Sequence, residues 1–274
     1  MKNTQQNIEA RKDEFLNNLV ELLKIPSVSA DSKHDKDTRD CANWVKNSMN
    51  KIGLSNIQLF ETPGHPIVFG EVIINNSLPT VLVYGHYDVQ PADPIELWTS
   101  PPFEPVIKDN KIYARGAADD KGQFYMYFAA LKCMIEANEV PCNIKVLIEG
   151  EEEVGSVNLE NFVNNNLELL SNDVILISDT HMLSNEDPSI TAGLKGLAYM
   201  EVEITGPNRD LHSGTYGGSV ANPINTLCKM IASLTNEDNQ ITIPEFYDKV
   251  LEVSPEHRAE MARAPFDLEE YKQS

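Results

Sequence analysis

Three short apolar runs, each ending in acidic or imidazole side chains, constrain this chain more than any other feature. Thr80-Val81-Leu82-Val83-Tyr84 is continuous and rich in β-branched residues, and Gly85-His86-Tyr87-Asp88 follows it. Asn143 to Ile148 runs into Glu151-Glu152-Glu153, and Asp173 to Ile177 into Ser178-Asp179. Runs of this length and make-up read as strands buried on both faces, which is how strands of a parallel sheet read. Helical periodicity lies between them. Ile8, Phe15, Leu19, Leu22 and Leu23 recur over residues 5–24 until Pro26 stops the helix. Cys41, Val45 and Met49 recur over 38–52, with Gly53 placed to cap. Phe124, Phe128, Leu131 and Ile135 mark a helix over 121–138, and another is expected near 157–170. Alternating helices and apolar strands predict an α/β fold with a mostly parallel sheet and flanking helices. Ligands of such sheets bind beyond the carboxyl ends of the strands, where His86, Glu152 and Asp179 fall.

After about Thr191 the pattern changes. Residues 195–204 alternate as a half-exposed strand would, and Asn222 to Leu234 read as a helix with Ile224, Leu227, Ile231 and Leu234 on one face. We therefore expect two domains, a catalytic one over 1–191 and a smaller α+β one over 192–274. The 274 residues carry a net charge of −20, which opposes nucleic acid and anionic membranes as partners. No apolar run approaches the roughly 18–20 residues that span a bilayer. The four cysteines, Cys41, Cys133, Cys142 and Cys228, are scattered and read as reduced thiols. A cytoplasmic location is the corresponding expectation.

Each acidic group has an ordinary reading beside a chemical one. His86 with Asp88 suits a metal ligand with its orienting carboxylate, or a buried histidine with its partner. Asp119-Asp120 is a repulsive pair that a cation relieves, or an N-cap before a helix, with Arg115 or Lys121 as the relieving charge. Glu151-Glu152-Glu153 is a solvated patch, or a ligand beside a general base. Asp179 alone is a turn residue. Taken together, one histidine and several carboxylates suit zinc, manganese or cobalt and leave no place for thiolate ligands. A metal pair at such a site makes water acidic enough to be deprotonated near neutral pH.

The motifs Tyr84-Gly85-His86-Tyr87-Asp88-Val89-Gln90-Pro91, Gly116-Ala117-Ala118-Asp119-Asp120-Lys121-Gly122, Glu149-Gly150-Glu151-Glu152-Glu153-Val154-Gly155-Ser156, Ile177-Ser178-Asp179 and Asp210-Leu211-His212-Ser213-Gly214 occur in this order, with Trp98 and Pro102-Phe103 between the first two and Tyr216-Gly217-Gly218 after the last. With them the chain resembles the co-catalytic zinc metallopeptidases, the family of carnosinase-type dipeptidases, glutamate carboxypeptidase, aminoacylase and succinyl-diaminopimelate desuccinylase, and most of all its cytosolic dipeptidase branch. The resemblance implies two divalent ions, zinc before manganese or cobalt. It implies that His86 and Asp179 hold one ion, Asp119 bridges both across a cis Asp119–Asp120 peptide, and Glu153 holds the other. Glu152 would be the general base, Asp88 the acid supporting His86, and His212 an oxyanion donor reaching across a homodimer formed through the lid domain. The implied reaction is hydrolysis of dipeptides or short peptides, with N-acyl amino acids as the alternative substrate. Members of the branch are longer, and their chains return to the catalytic domain with one more histidine ligand. The resemblance therefore implies that this chain stops inside the lid, lacks a ligand beside Glu153, and has low activity alone or serves as a non-catalytic partner. His34, His65, His181 and His257 lie in none of the motifs and read as surface or structural residues.

Overall fold

The computed structural model describes residues 2–182, 184, 187–191 and 193–273. The chain separates into two compact units, Met1–His181 and Met182–Ser274.

The first unit opens with α1 (Lys2–Ala10) and α2 (Lys12–Leu23), so the single helix expected over 5–24 is broken at Arg11. Then come α3 (Asp35–Ile52), β1 (Ser55–Phe60), β2 (Ile67–Val72) and β3 (Thr80–His86). The short antiparallel pair β4 (Val106–Lys108) and β5 (Lys111–Tyr113) precedes α4 (Lys121–Glu136), and β6 (Asn143–Glu149), α5 (Leu159–Asn165) and β7 (Val174–Ile177) complete the unit. Gly53 ends α3 at φ 96°, a left-handed cap that glycine adopts without the cost of a Cβ.

Five strands form one sheet in the order β1-β2-β6-β3-β7. β3 pairs in parallel with β6 on one side and β7 on the other, while β2 is antiparallel to both β6 and β1. Four of the five strands therefore point the same way, and β3, β6 and β7 bring their carboxyl ends to one edge. The core packs α3 and α4 on one face through Val45, Met49, Phe124, Phe128 and Leu131 against Val68, Val83, Val146 and Ile148. α5 covers part of the other face through Phe162, which meets Phe69, Leu82 and Leu147. β6 is buried along its whole length, whereas β7, at the sheet's edge, is exposed along its whole length.

Two sequence expectations change here. The helix near 157–170 is only the seven residues of α5, with turns to Leu170. Residues 195–204 are not a strand: among the described residues nothing pairs with them, and Leu197 and Tyr199 are 82% and 91% exposed. Alternation makes a segment compatible with a sheet, but the ladder bonds must come from a neighbour.

The second unit holds α6 (Ser213–Tyr216), α7 (Pro223–Ala232), α8 (Pro255–Met261) and α9 (Leu268–Gln273). The helix expected over 222–234 is present as α7. The Asn222 side chain caps it by accepting from the Ile224 and Asn225 amides, and Pro223 occupies its first turn. Among the described residues, no helix is long and apolar enough to cross a membrane.

Candidate metal centre

β3 ends at His86, whose side chain is fully buried. Its Nδ1 faces the Asp88 backbone carbonyl at 3.1 Å and the Asp88 carboxylate at 3.4 Å. With the proton on Nδ1 donated there, the Nε2 lone pair points the other way. Around Nε2 stand three carboxylate oxygens: Asp119 Oδ1 at 3.1 Å, Asp179 Oδ2 at 3.6 Å and Glu152 Oε2 at 4.0 Å. His86, Asp119 and Asp179 offer ligand atoms that all lie within 4.8 Å of one another. A lone pair ringed by anions is tolerable only with a cation among them, either a proton or a metal ion.

The titration behaviour expresses the same demand. Burial alone would lower the His86 pKa, but the bonds to Asp119 and Asp88 outweigh it and push it up to about 11. Asp119 is held low, first by its bond to His86. Burial raises the Glu152 carboxyl; the His86 charge pulls it back, and Asp179 and Glu153 push it up again. Burial likewise raises Glu153, against its hydrogen bond from Gln90. A divalent ion would satisfy this excess of negative charge, and a one-histidine, two-carboxylate donor set fits zinc or manganese.

The neighbouring segments hold these side chains in place. The Asp119–Asp120 peptide is cis, as the resemblance implied. Asp120 occupies the N-cap position of α4 but makes no capping bond. Its carboxylate instead accepts from the His86 amide at 3.0 Å, its other oxygen is buried without a partner, and burial pushes its pKa up to about 7. The N-cap reading of the aspartate pair therefore gives way to a site reading. Gly85 makes this approach possible, because a Cβ there would lie 2.5 Å from Asp120 Oδ2 and 2.9 Å from Phe124 Cβ. Lys121 does not relieve the pair either: it is fully buried, and its Nζ donates to the Ile25 carbonyl at 2.6 Å.

The glutamate triplet divides by task. Glu151 is buried and accepts from the His65 amide and the Asn158 side chain, which fastens the 62–66 loop. Glu152 and Glu153 donate their amides to the Asp88 carboxylate at 3.2 and 3.1 Å. Glu152 thereby reaches the ring of oxygens around His86. Glu153 lies outside the tight three-residue group and accepts from Gln90 Nε2 at 2.8 Å.

Sequence reasoning singles out none of three further participants, although Tyr84 and Ser156 sit inside its motifs and only Ser29 lies outside them. Ser29 donates to Asp88 at 2.6 Å. Tyr84 and Ser156 both donate to the buried Glu149, one strand over from His86. His212 belongs to the second unit. It caps α6, and its Nδ1 accepts from the Gly214 amide at 3.1 Å, which leaves the ring proton on Nε2.

The fold and this cluster define a class: α/β proteins with a divalent-cation centre at the carboxyl ends of parallel strands. Residues 82–271 match the model of peptidase family M20/M25/M40, and the chain belongs to that family. It is 34% identical to the Cys-Gly metallodipeptidase of Schizosaccharomyces pombe, over 97% of this chain and 59% of the relative. It is 36% identical to the beta-Ala-His dipeptidase of Homo sapiens over 77% of this chain and 42% of that one. The M20 family metallo-carboxypeptidase Sso-CP2 from Sulfolobus solfataricus superposes with a TM-score of 0.79 at 37% identity, over 95% of this chain and 58% of that one. The chain thus spans about three fifths of the length of the Schizosaccharomyces relative.

Proposed function

We propose that this chain carries the centre for metal-dependent hydrolysis of the peptide bond in dipeptides or short peptides. The observation that carries the reading is His86 Nε2 with three carboxylate oxygens within 4.0 Å. Similarity to proteins named as Cys-Gly and beta-Ala-His dipeptidases supports the choice of dipeptides.

In this reading His86, Asp119 and Asp179 would hold one ion, and Asp119 and Glu153 would serve a second. Zinc fits this donor set, with manganese or cobalt as substitutes. Two divalent ions here would polarise the scissile carbonyl and bring the pKa of water towards ~7. The rest falls to the chain's own groups. Glu152, raised by burial and held by its amide on Asp88, takes a proton from the attacking water and returns it to the leaving amine. Asp88 fixes the His86 ring and the Glu152-Glu153 backbone together. His212 presents its Nε2 proton to the developing oxyanion of a partner subunit's substrate, which assigns residues 192–274 to lid and dimer contacts and residues 1–191 to catalysis. We place the protein in the cytoplasm on the scattered cysteines.

The test is release of amino acids from Cys-Gly and from β-Ala-His with added Zn²⁺ or Mn²⁺, alongside a panel of N-acetyl amino acids. Dipeptide hydrolysis should exceed deacylation. Glu152→Gln should lower kcat about 100- to 10,000-fold while metal binding persists. Hydrolysis that survives this substitution would remove Glu152 from its role, and preference for the N-acetyl substrates would make the chain a deacylase.

A further inference from the structure

We infer that Ser29, outside every motif of the site, is a positioning residue that sets the metal affinity of the centre through Asp88. The inference rests on the metal-centre reading above.

Its placement follows from the segment after α2. Pro26 ends the helical stretch, and the chain then runs beside the residues that follow β3. The Ser27 hydroxyl donates to the Tyr87 carbonyl at 2.6 Å, the Val89 amide donates to the Ser27 carbonyl at 3.0 Å, and Val28 bridges Val89 in parallel. This pairing brings Ser29 alongside Asp88. The Ser29 hydroxyl donates to Asp88 Oδ2 at 2.6 Å, the short range of a hydroxyl bonded to an ionised oxygen. On its other side, the Ser29 carbonyl lies 3.3 Å from His65 Nε2.

Asp88 is fully buried, and each of its oxygens is engaged. Oδ2 accepts from Ser29 and from the Glu153 amide; Oδ1 accepts from the Glu152 amide and stands 3.4 Å from His86 Nδ1. One carboxylate thus sets the His86 ring and the backbone of both glutamates. The Ser29 hydroxyl is the only side-chain hydroxyl among these contacts, and it comes from a separate part of the chain. Without it Oδ2 keeps a single amide, the carboxylate is held less firmly by its remaining contacts, and the seats of His86, Glu152 and Glu153 loosen together. Asp88 is a partner one bond removed from the ligand His86, a kind whose loss typically changes metal affinity about 10- to 100-fold, and Ser29, one bond further out, draws on the lower end of that range.

The experiment measures zinc affinity of the full chain by competition with a chromophoric chelator. It also records the absorption bands of the cobalt(II)-loaded protein, for wild type, Ser29→Ala and Ser29→Thr. Ser29→Ala should bind zinc up to about 10-fold more weakly and shift the cobalt bands. Ser29→Thr, which keeps the hydroxyl, should restore both. If Ser29→Ala does not fold by circular dichroism, Ser29→Cys, a weaker donor of similar size, should show an intermediate loss. Wild-type affinity and unshifted bands in the alanine variant would overturn the inference, as would equal losses in the alanine and threonine variants. Failure of the wild type to bind zinc would instead overturn the metal-centre reading, and this inference with it.

Discussion

His86 concentrates the chemistry of the site at one ring nitrogen. Without metal, Nε2 holds a proton among three carboxylates and its pKa is raised to about 11, against about 6.5 in an unfolded chain. The sign follows from the direction of the shift. A folded pKa above the unfolded one stabilises the metal-free fold fully below about pH 6.5, and that contribution is lost as pH rises through about 11. A metal ion must displace this proton. Zinc uptake at pH 7 should therefore release close to one proton from His86, with apparent affinity rising about tenfold per pH unit. Calorimetry in buffers of different ionisation heat reads the proton directly, and uptake without proton release would mean that His86 is not a ligand. The residues that meet here are legible in the sequence because each ends an apolar run or sits in a long motif. Ser29 is not, since it lies in a stretch without periodicity and its role depends on a contact 59 positions away. Glu149 opens a motif yet takes no role in the sequence reading, because as the last residue of β6 it reads as a strand end.

At the scale of elements, the strands that deliver ligands differ sharply in protection. β6 is buried throughout, whereas Val174, Ile175, Leu176 and Ile177 of β7 are each more than two-fifths exposed. Among the described residues β7 pairs only with β3, and Asp179 follows it by two residues. Edge strands with exposed ladders open at low free-energy cost. Native-state hydrogen exchange should find β6 amides among the slowest and β7 amides much faster. Adding zinc should slow β7 more than β1, because an ion shared by His86 and Asp179 ties the end of β7 to β3. Equal slowing of both would mean that Asp179 is not recruited. Helices are easier to read than strands. The 3.6-residue period identifies α2, α3, α4 and α7, and β3, β6 and β7 show themselves as short, mostly apolar runs, that of β6 interrupted by Lys145. β1 escapes notice because Ser55, Asn56 and Gln58 dilute its apolar residues. Residues 195–204 mimic a strand because period-two alternation reports compatibility with a sheet rather than the presence of a neighbour.

At the scale of the molecule, a net charge of −20 makes the fold work against its own repulsion. Screening over about 8 Å at 0.15 M ionic strength weakens that repulsion. The urea midpoint of the metal-free protein should rise between low salt and 0.15 M sodium chloride, and an insensitive midpoint would show that the acids are already paired locally. The α/β class is legible in the alternation of elements. The antiparallel insertion of β2 beside β6 is not, because pairing direction between distant segments leaves no mark in local composition.

The candidate ligands lie at positions 86, 119 and 179, and the segments bearing the first and last meet through parallel pairing. Parallel neighbours cannot be joined by a tight turn, so the intervening chain must be threaded before His86 and Asp179 converge. An ion that needs both His86 and Asp179 would therefore find its full donor set only once β7 has docked on β3. Loading would then come late in maturation, and occupancy would report that the long-range wiring of the sheet is already correct.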